Sequence, residues 1–496
     1  MNDRTDPLRH APASYRWRWI ALLVILAGEI MDMLDTLITN IAAPSIRADI
    51  GGSAGTLQWL AAGYTLAMAV GLITGGRLGD LYGRNRMFLV GAGGFTAASL
   101  LCGLATGPGM LVGARVLQGL FGALMLPQGI GMIKQMFPPK EMGAAFGLFG
   151  PVMGLSSVGG PVLAGWLIDA DLFGTGWRMI FLINVPVGIA ALLAGLRFLP
   201  AGRAERAQRL DLTGAALASA GAALLVYPLV QGRELDWPAW TFAMMAAAVA
   251  VFALFAWYET RVRRAGRDPL VVPGLFRKRA FTGGLISGLV FFCALAGFGL
   301  VFALYTQLGL GYSPLKAGLA QIPWSVGIVL GFGLAQALSR LGRTVLHIGT
   351  LVMAAGIAAV AFTLEAAGIG VSPWQLTPAL VVTGLGMGML MAPFFDIVLS
   401  GVEPEETGSA GGTLTAVQQL GGALGAAVLG TIFFGVLGTE GGPGTSAADF
   451  ATAMRITLWV EVGLLVLTFA LAFLLPRQAR PQEPADEAAP AAPAKA

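Results

Sequence analysis

A chain of 496 residues with 56% hydrophobic and 12% charged residues and a mean hydropathy of +0.74 has too few charges to clothe a water-soluble globule, and reads as a polytopic membrane protein. Its net charge of +4 has no basic, aromatic-interleaved soluble segment behind it, which excludes nucleic acid as a partner and leaves the lipid bilayer. The two cysteines, Cys102 and Cys293, lie in apolar runs away from oxidising solvent, so no disulfide is expected.

The first predicted element, 19–43, follows a basic tail ending in Arg16 and Arg18. It is too long for a signal peptide and no small-x-small cleavage site closes it, so it is an uncleaved first helix. Inside it stands GEIMDMLDTLITN, residues 28–40. A carboxylate near the bilayer midplane costs at least about 2.5–3.5 kcal/mol, so Glu29, Asp32 and Asp35 together call for a reason. At helical spacing they make a stripe, rejoined by Asn40, that must face a cavity.

Apolar windows continue near 57–76, 87–106, 110–133, 142–168, 179–199, 212–232, 237–258, 281–308, 314–339, 344–364, 375–399, 407–437 and 456–475, which brings the prediction to fourteen helices. Alternation at period two is absent, so a transmembrane barrel does not compete. After the second window comes GRLGDLYGRNR, with Gly76, Asp80, Gly83, Arg84 and Arg86. In the fourth, Arg115 lies roughly 9 Å below Gly109, a depth similar to that of Asp35, roughly 12 Å below Ala43. The two form a plausible pair. Burial favours the neutral acid and a neighbouring cation the ionised one, so a carboxylate beside an arginine can act as a proton switch. Asp35 is the first candidate for that role; Glu29 and Asp32 would attract a cationic substrate or share the proton. The bland alternative is a fixed Asp35–Arg115 pair that only joins two helices. Glu461 and Asp396 read as interfacial, and His347 as a packed or interfacial residue.

With both termini on the cytoplasmic side, all but six of the 31 Lys and Arg fall on inside segments; the six are Arg47, Arg115, Arg178, Arg233, Lys316 and Arg455. The chain also repeats itself. GRLGDLYGRNRMFLVG at 76–91 is matched by AQALSRLGRTVLHIG at 335–349, Gly83–Arg84 by Gly342–Arg343, with Ser339 in place of Asp80. One six-helix unit therefore occurs twice around two inserted helices, the build of an alternating-access carrier. The predicted organisation is a tail at 1–18, a bundle at 19–199, inserted helices at 200–260, a basic cytoplasmic loop at 261–280, a bundle at 281–475 and a Pro/Ala-rich disordered tail at 476–496.

These segments resemble the major facilitator superfamily, and within it the fourteen-helix drug:proton antiporter group, from about residue 17 to 475. GRLGDLYGRNR resembles the loop motif of that family, and RVLQGLFGA its fourth-helix motif, met by Arg115, Gln118, Gly119 and Ala123. LDTLITNIAAP and WRMIFLINVPVG are similar to the group's first-helix motif and its entry into helix six. The fifth-helix antiporter motif is met in part by Ser156, Gly160, Pro161, Ala164 and Gly165. The resemblance implies a fold of two six-helix bundles plus two inserted helices, a latch role for Asp80, and export of lipophilic, cationic drugs or antibiotics in exchange for protons. The first alternative is a dedicated exporter of an endogenous antibiotic or metabolite; nutrient uptake comes after it.

No Walker A, CxxC, HExxH or GxSxG motif stands in a suitable setting, so neither ATP drive nor enzymatic chemistry is expected, and no cofactor or metal. The expected partners are a small lipophilic substrate, protons and lipid, with the chain a monomer. Arg outnumbers Lys by 26 to 5, which hints at a GC-rich bacterium and hence a bacterial plasma membrane.

Overall fold

The computed structural model describes residues 15–138, 141, 145, 148–200, 211–232, 234–267, 269–403, 406–437 and 446–477, among which there is helix, turn and loop but no strand. The predicted N-terminal tail before Tyr15 and most of the C-terminal tail lie outside them. In chain order the long helices are α1 (Arg18–Ile50), α2 (Ala54–Tyr82), α3 (Arg84–Gly103), α4 (Pro108–Met136), α5 (Phe149–Asp169), α6 (Gly176–Phe198) and α7 (Leu212–Gln231). Then come α8 (Ala239–Arg264), α9 (Arg279–Leu304), α10 (Pro314–Ala337), α11 (Arg343–Ala367), α12 (Pro373–Leu399), α13 (Thr407–Leu437) and α14 (Ala447–Leu471). Among the described residues, eleven helices are long and apolar enough to cross a bilayer, and α2 makes twelve when its two halves, bent by 47°, count as one. Helix α1 falls outside that number because no 18-residue stretch of it holds fewer than three charged residues.

Two boundaries differ most from the prediction. Helix α1 runs on through Pro44 to Ile50. Helix α14 begins at Ala447, not 456, on a capping box in which the Ser446 hydroxyl accepts from the Asp449 amide at 3.3 Å. Polar Asp449 and Arg455 hid those first turns from a hydropathy window, and the consequence is that Glu461 sits in mid-helix instead of near an interface.

The repeat is visible in the backbone. Gly83 and Gly342, which open the turns before α3 and α11, have φ of 96° and 54°, a region that side chains resist. Close packing repeats as well. A Cβ at Gly75 of α2 would strike the Ala123 carbonyl of α4, and one at Gly327 of α10 the Val381 carbonyl of α12. Small residues thus let paired helices approach backbone to backbone, which is how helices associate where lipid offers no hydrophobic drive.

The two bundles meet most tightly at the end that carries the α1–α2 turn, called here the far end. There the Gln307 side chain donates to the Ile41 carbonyl at 2.8 Å, the Leu315 amide to Asp169 at 3.2 Å, and Gln58 to the Ala427 carbonyl at 3.1 Å. Helices α5 and α10 touch through glycines: a Cβ at Gly165 would lie 2.5 Å from the Pro314 carbonyl oxygen, and one at Gly318 would collide with the Pro161 carbonyl. Helix α7 packs on both α2 and α13, with the Thr431 hydroxyl donating to the Leu229 carbonyl at 2.8 Å and the Gly55 amide to Glu234 at 2.6 Å. At the near end, Arg77 of α2 donates to the Pro269 carbonyl, and Lys278 pairs with Glu406, whose hydrogen bond holds the ammonium above its usual range.

Candidate functional site

Helix α1 carries its carboxylates at three levels beside α4. Three residues turn a helix by 300°, so the 29-32-35 series drifts across the surface instead of forming one line. Glu29 and Asp32 are partly exposed, on the side of α1 where Asn40 approaches Gly299 of the second bundle at 3.8 Å from its Cβ position. All three carboxyls also reach α4: Asp35 at Arg115, Asp32 beside Gly122 and Glu29 beside Gly129. Asp35 is the deepest, at 2% exposed, while Glu29 and Asp32 keep some exposure.

Inside the bundle Asp35 meets Arg115, which is 1% exposed, in an ion pair. One Asp35 oxygen takes the Arg115 guanidinium; the other accepts from the Gln118 amide at 2.7 Å and the Asn184 amide at 3.3 Å. Arg115 also donates to the Leu60 carbonyl at 3.1 Å and to Gln118 Oε1 at 2.8 Å, and Gln118 donates to the Ser99 hydroxyl at 2.9 Å. Both Asp35 oxygens and the Arg115 Nε and Nη1 groups are answered, as a charge pair at this depth requires. The Arg115 guanidinium lies 4.2 Å from the centre of the Tyr64 ring, whose hydroxyl donates to Asp32. Tyr64 thus links the buried pair to the partly exposed Asp32. Glu29 has no hydrogen-bond partner among the described residues.

The sequence does not single out Tyr64, Ser99 or Asn184; single polar side chains in apolar helices carry no periodic signal. Ser99 and Asn184 become visible only once Asp35 and Arg115 are known to converge.

The loop motif behaves locally. Asp80 pairs with Arg84 at 2.7 Å across one turn, both about one-third exposed. The Arg84 guanidinium covers Gly131 of α4. Gly83 supplies the turn, Gly76 lies at ordinary contact distance from Pro127, and Arg86 is exposed. Among the described residues, Asp80 has Arg84 as its hydrogen-bond partner. Gly160 sits against Leu34 and Leu37 of α1, while Pro161 and Gly165 face α10, so the fifth-helix motif borders both the acidic helix and the inter-bundle seam. No group of His, Cys, Asp or Glu able to hold a metal occurs among the described residues. His347 lies between Phe469 and Phe473, at 4.7 and 4.4 Å, as a packed residue.

Membrane-length helices with a charge network buried among them are the build of a membrane carrier. The chain belongs to the Major Facilitator Superfamily, whose model matches residues 25–212 and 201–426. It is 46% identical to a probable actinorhodin transporter of Streptomyces coelicolor, over 96% of this chain and 95% of that one. It is 38% identical to a tetracenomycin C resistance and export protein of Streptomyces glaucescens, over 87% of this chain and 79% of that one. Among solved structures, an inward-facing, unoccupied bacterial homologue of the lysosomal transporter Spinster shares the fold, with a TM-score of 0.63 at 16% identity over 93% and 97% of the two chains.

Proposed function

We propose that this protein is an efflux carrier that exports lipophilic compounds, antibiotics among them, in exchange for protons. The observation that carries the reading is the α1 network: a buried, hydrogen-bonded Asp35–Arg115 pair joined through Tyr64 to the partly exposed Asp32. Its geometry gives a proton somewhere to act. Protonating Asp35 removes the charge that holds Arg115, Gln118 and Asn184 together, which loosens α1 from α4 and α6. Glu29 and Asp32 then meet the substrate, favouring cations in a low-dielectric cleft. The identity to the actinorhodin and tetracenomycin relatives supports outward transport, and equally supports a dedicated exporter of a compound the same cell makes.

We further read α1 and α5 as spans, which makes fourteen with the twelve apolar ones, with both termini cytoplasmic. On that topology the closed far end is extracellular and the conformation is inward-facing. The Asp80–Arg84 pair is then half of a latch completed in the opposite state. The chain is taken to work as a monomer.

Inverted vesicles carrying the chain test the drive: they are expected to accumulate the cationic dye ethidium when energised, and to lose it on adding a protonophore. Accumulation that survives collapse of the proton gradient would end the antiport reading. Glu29→Gln should lower ethidium transport more than that of a neutral aromatic quinone. For the latch, Asp80→Asn is expected to leave stability within about 1 kcal/mol, as for an exposed pair, yet to slow transport at equal membrane abundance. A parent-like rate would make Asp80 a surface residue without a part in the cycle.

A further inference from the structure

The second bundle holds a carboxyl that the reading above does not use. Glu461 stands near the middle of α14, roughly 21 Å along the helix from Ala447. It is 1% exposed, its Oε1 has no hydrogen-bond partner, and no cation lies within ion-pair distance of it among the described residues. Asp35 in the first bundle has an arginine and two amides to answer its charge; Glu461 has none of these.

Helices α9, α11 and α13 pack around α14. The titratable groups they bring are few. Cys293 stands in the middle of α9, Tyr305 follows at its end, and His347 and Glu365 stand toward opposite ends of α11, Glu365 paired with Arg455. Helix α13 carries no charged residue. Past the end of α14, Arg279 and Arg343 bind the Leu474 and Phe473 carbonyls. A carboxylate in such a pocket would bear the full cost of an uncompensated charge, so the form that fits is the neutral acid.

The position has a counterpart. In the repeat, α9 and α14 correspond to α1 and α6, and in the first bundle the buried Asp35 also bridges that helix pair, to Asn184. Helix α9, one of the three helices packed on α14, also reaches the first bundle through α1. It ends in a π-helical turn, Tyr305–Gly309, from which Gln307 donates to the Ile41 carbonyl and against which Phe450 of α14 packs. Such turns mark places where a helix readily rearranges.

We propose that Glu461 is a second proton-binding site of the transport cycle, loaded in the conformation described and emptied when α9 moves off α14. On emptying, the carboxyl O–H bond breaks, the proton leaves on entering water, and that water hydrates the carboxylate until it is reprotonated. This inference rests on the proton-exchange reading, and the test separates the two.

In vesicles of the full chain, ethidium accumulation is measured against an imposed pH difference, which gives the number of protons exchanged per dye. The parent is expected to exceed Glu461→Gln by one proton, while both carry ethidium equally downhill, because the amide matches the neutral acid in shape. Glu461→Asp, which keeps a carboxyl, is expected to restore the lost proton. No pH-driven accumulation by the parent would remove the antiport reading itself. Accumulation by Glu461→Gln with the parent's proton number would leave that reading standing and overturn this one. If Glu461→Gln fails to insert, infrared spectra of the parent decide: a protonated-carboxyl band that loses intensity on adding ethidium, and that shifts in frequency in Glu461→Asp, supports the site, and an unchanged band in the parent overturns it.

Discussion

Asp35→Asn and Arg115→Ala, made singly, are each expected to destabilise the protein by about 3–5 kcal/mol, because removing one member of a buried pair leaves the other charge without an answer. In Asp35→Asn the orphan is Arg115, with Leu60 and Gln118 as its remaining acceptors; in Arg115→Ala it is Asp35, left with two amides. The double variant Asp35→Asn/Arg115→Gln carries no buried charge and is expected to recover most of the loss, since a neutral pair in place of an ionic one is often isoenergetic. Thermal unfolding in detergent measures this. Transport should not follow stability: the double variant is expected to fold and bind, yet to fail at uphill export. Full uphill export by the double variant would reduce the pair to a fastener between α1 and α4.

Gly165→Val and Gly318→Val are expected to trade one conformation for the other. Each new side chain would drive into backbone across the α5–α10 seam, at Pro314–Leu315 or Pro161. Overpacking of this kind costs about 1–3 kcal/mol, and it falls only on the state in which the far end is closed. Each 1.4 kcal/mol is about a tenfold shift in population, so the variants should sit largely open at that end and stall. The measurement is labelling of Thr431→Cys, at the position Gln58 covers, by a membrane-impermeant thiol reagent; Cys102 and Cys293 are buried and stay silent. Labelling no faster than in the parent background would mean that the seam yields without opening.

Much of this was legible in the sequence, and the physics says which part. Long apolar windows, the positive turns at Gly83 and Gly342, and the shared depth of Asp35 and Arg115 follow from spacing alone, because helical rise and glycine backbone freedom are local properties. What spacing does not fix is exposure. Whether Asp35 is enclosed or keeps some exposure, as Glu29 and Asp32 do, depends on which face of α1 its neighbours occupy, and that is decided by packing of α3, α4 and α6. Glu461 escaped for a related reason: Asp449 and Arg455 lowered the local hydropathy, so the helix was begun nine residues late and a mid-membrane acid was read as a surface one.

The placement of α7 has a mechanical consequence. It is fastened on one side to the α2 end through Glu234 and Gly55, and on the other to α13 through Leu229 and Thr431. A hydrogen bond tolerates only a few tenths of an ångström of stretch before it weakens, whereas a rocking of the two bundles displaces their far ends by much more. On the proposed alternating-access cycle, one of the two fastenings lets go in each stroke, and the inserted pair rides with the bundle whose bond holds. The two added helices are then a ratchet pawl between the halves, and their cost is paid in every cycle as one bond broken and remade at the membrane surface.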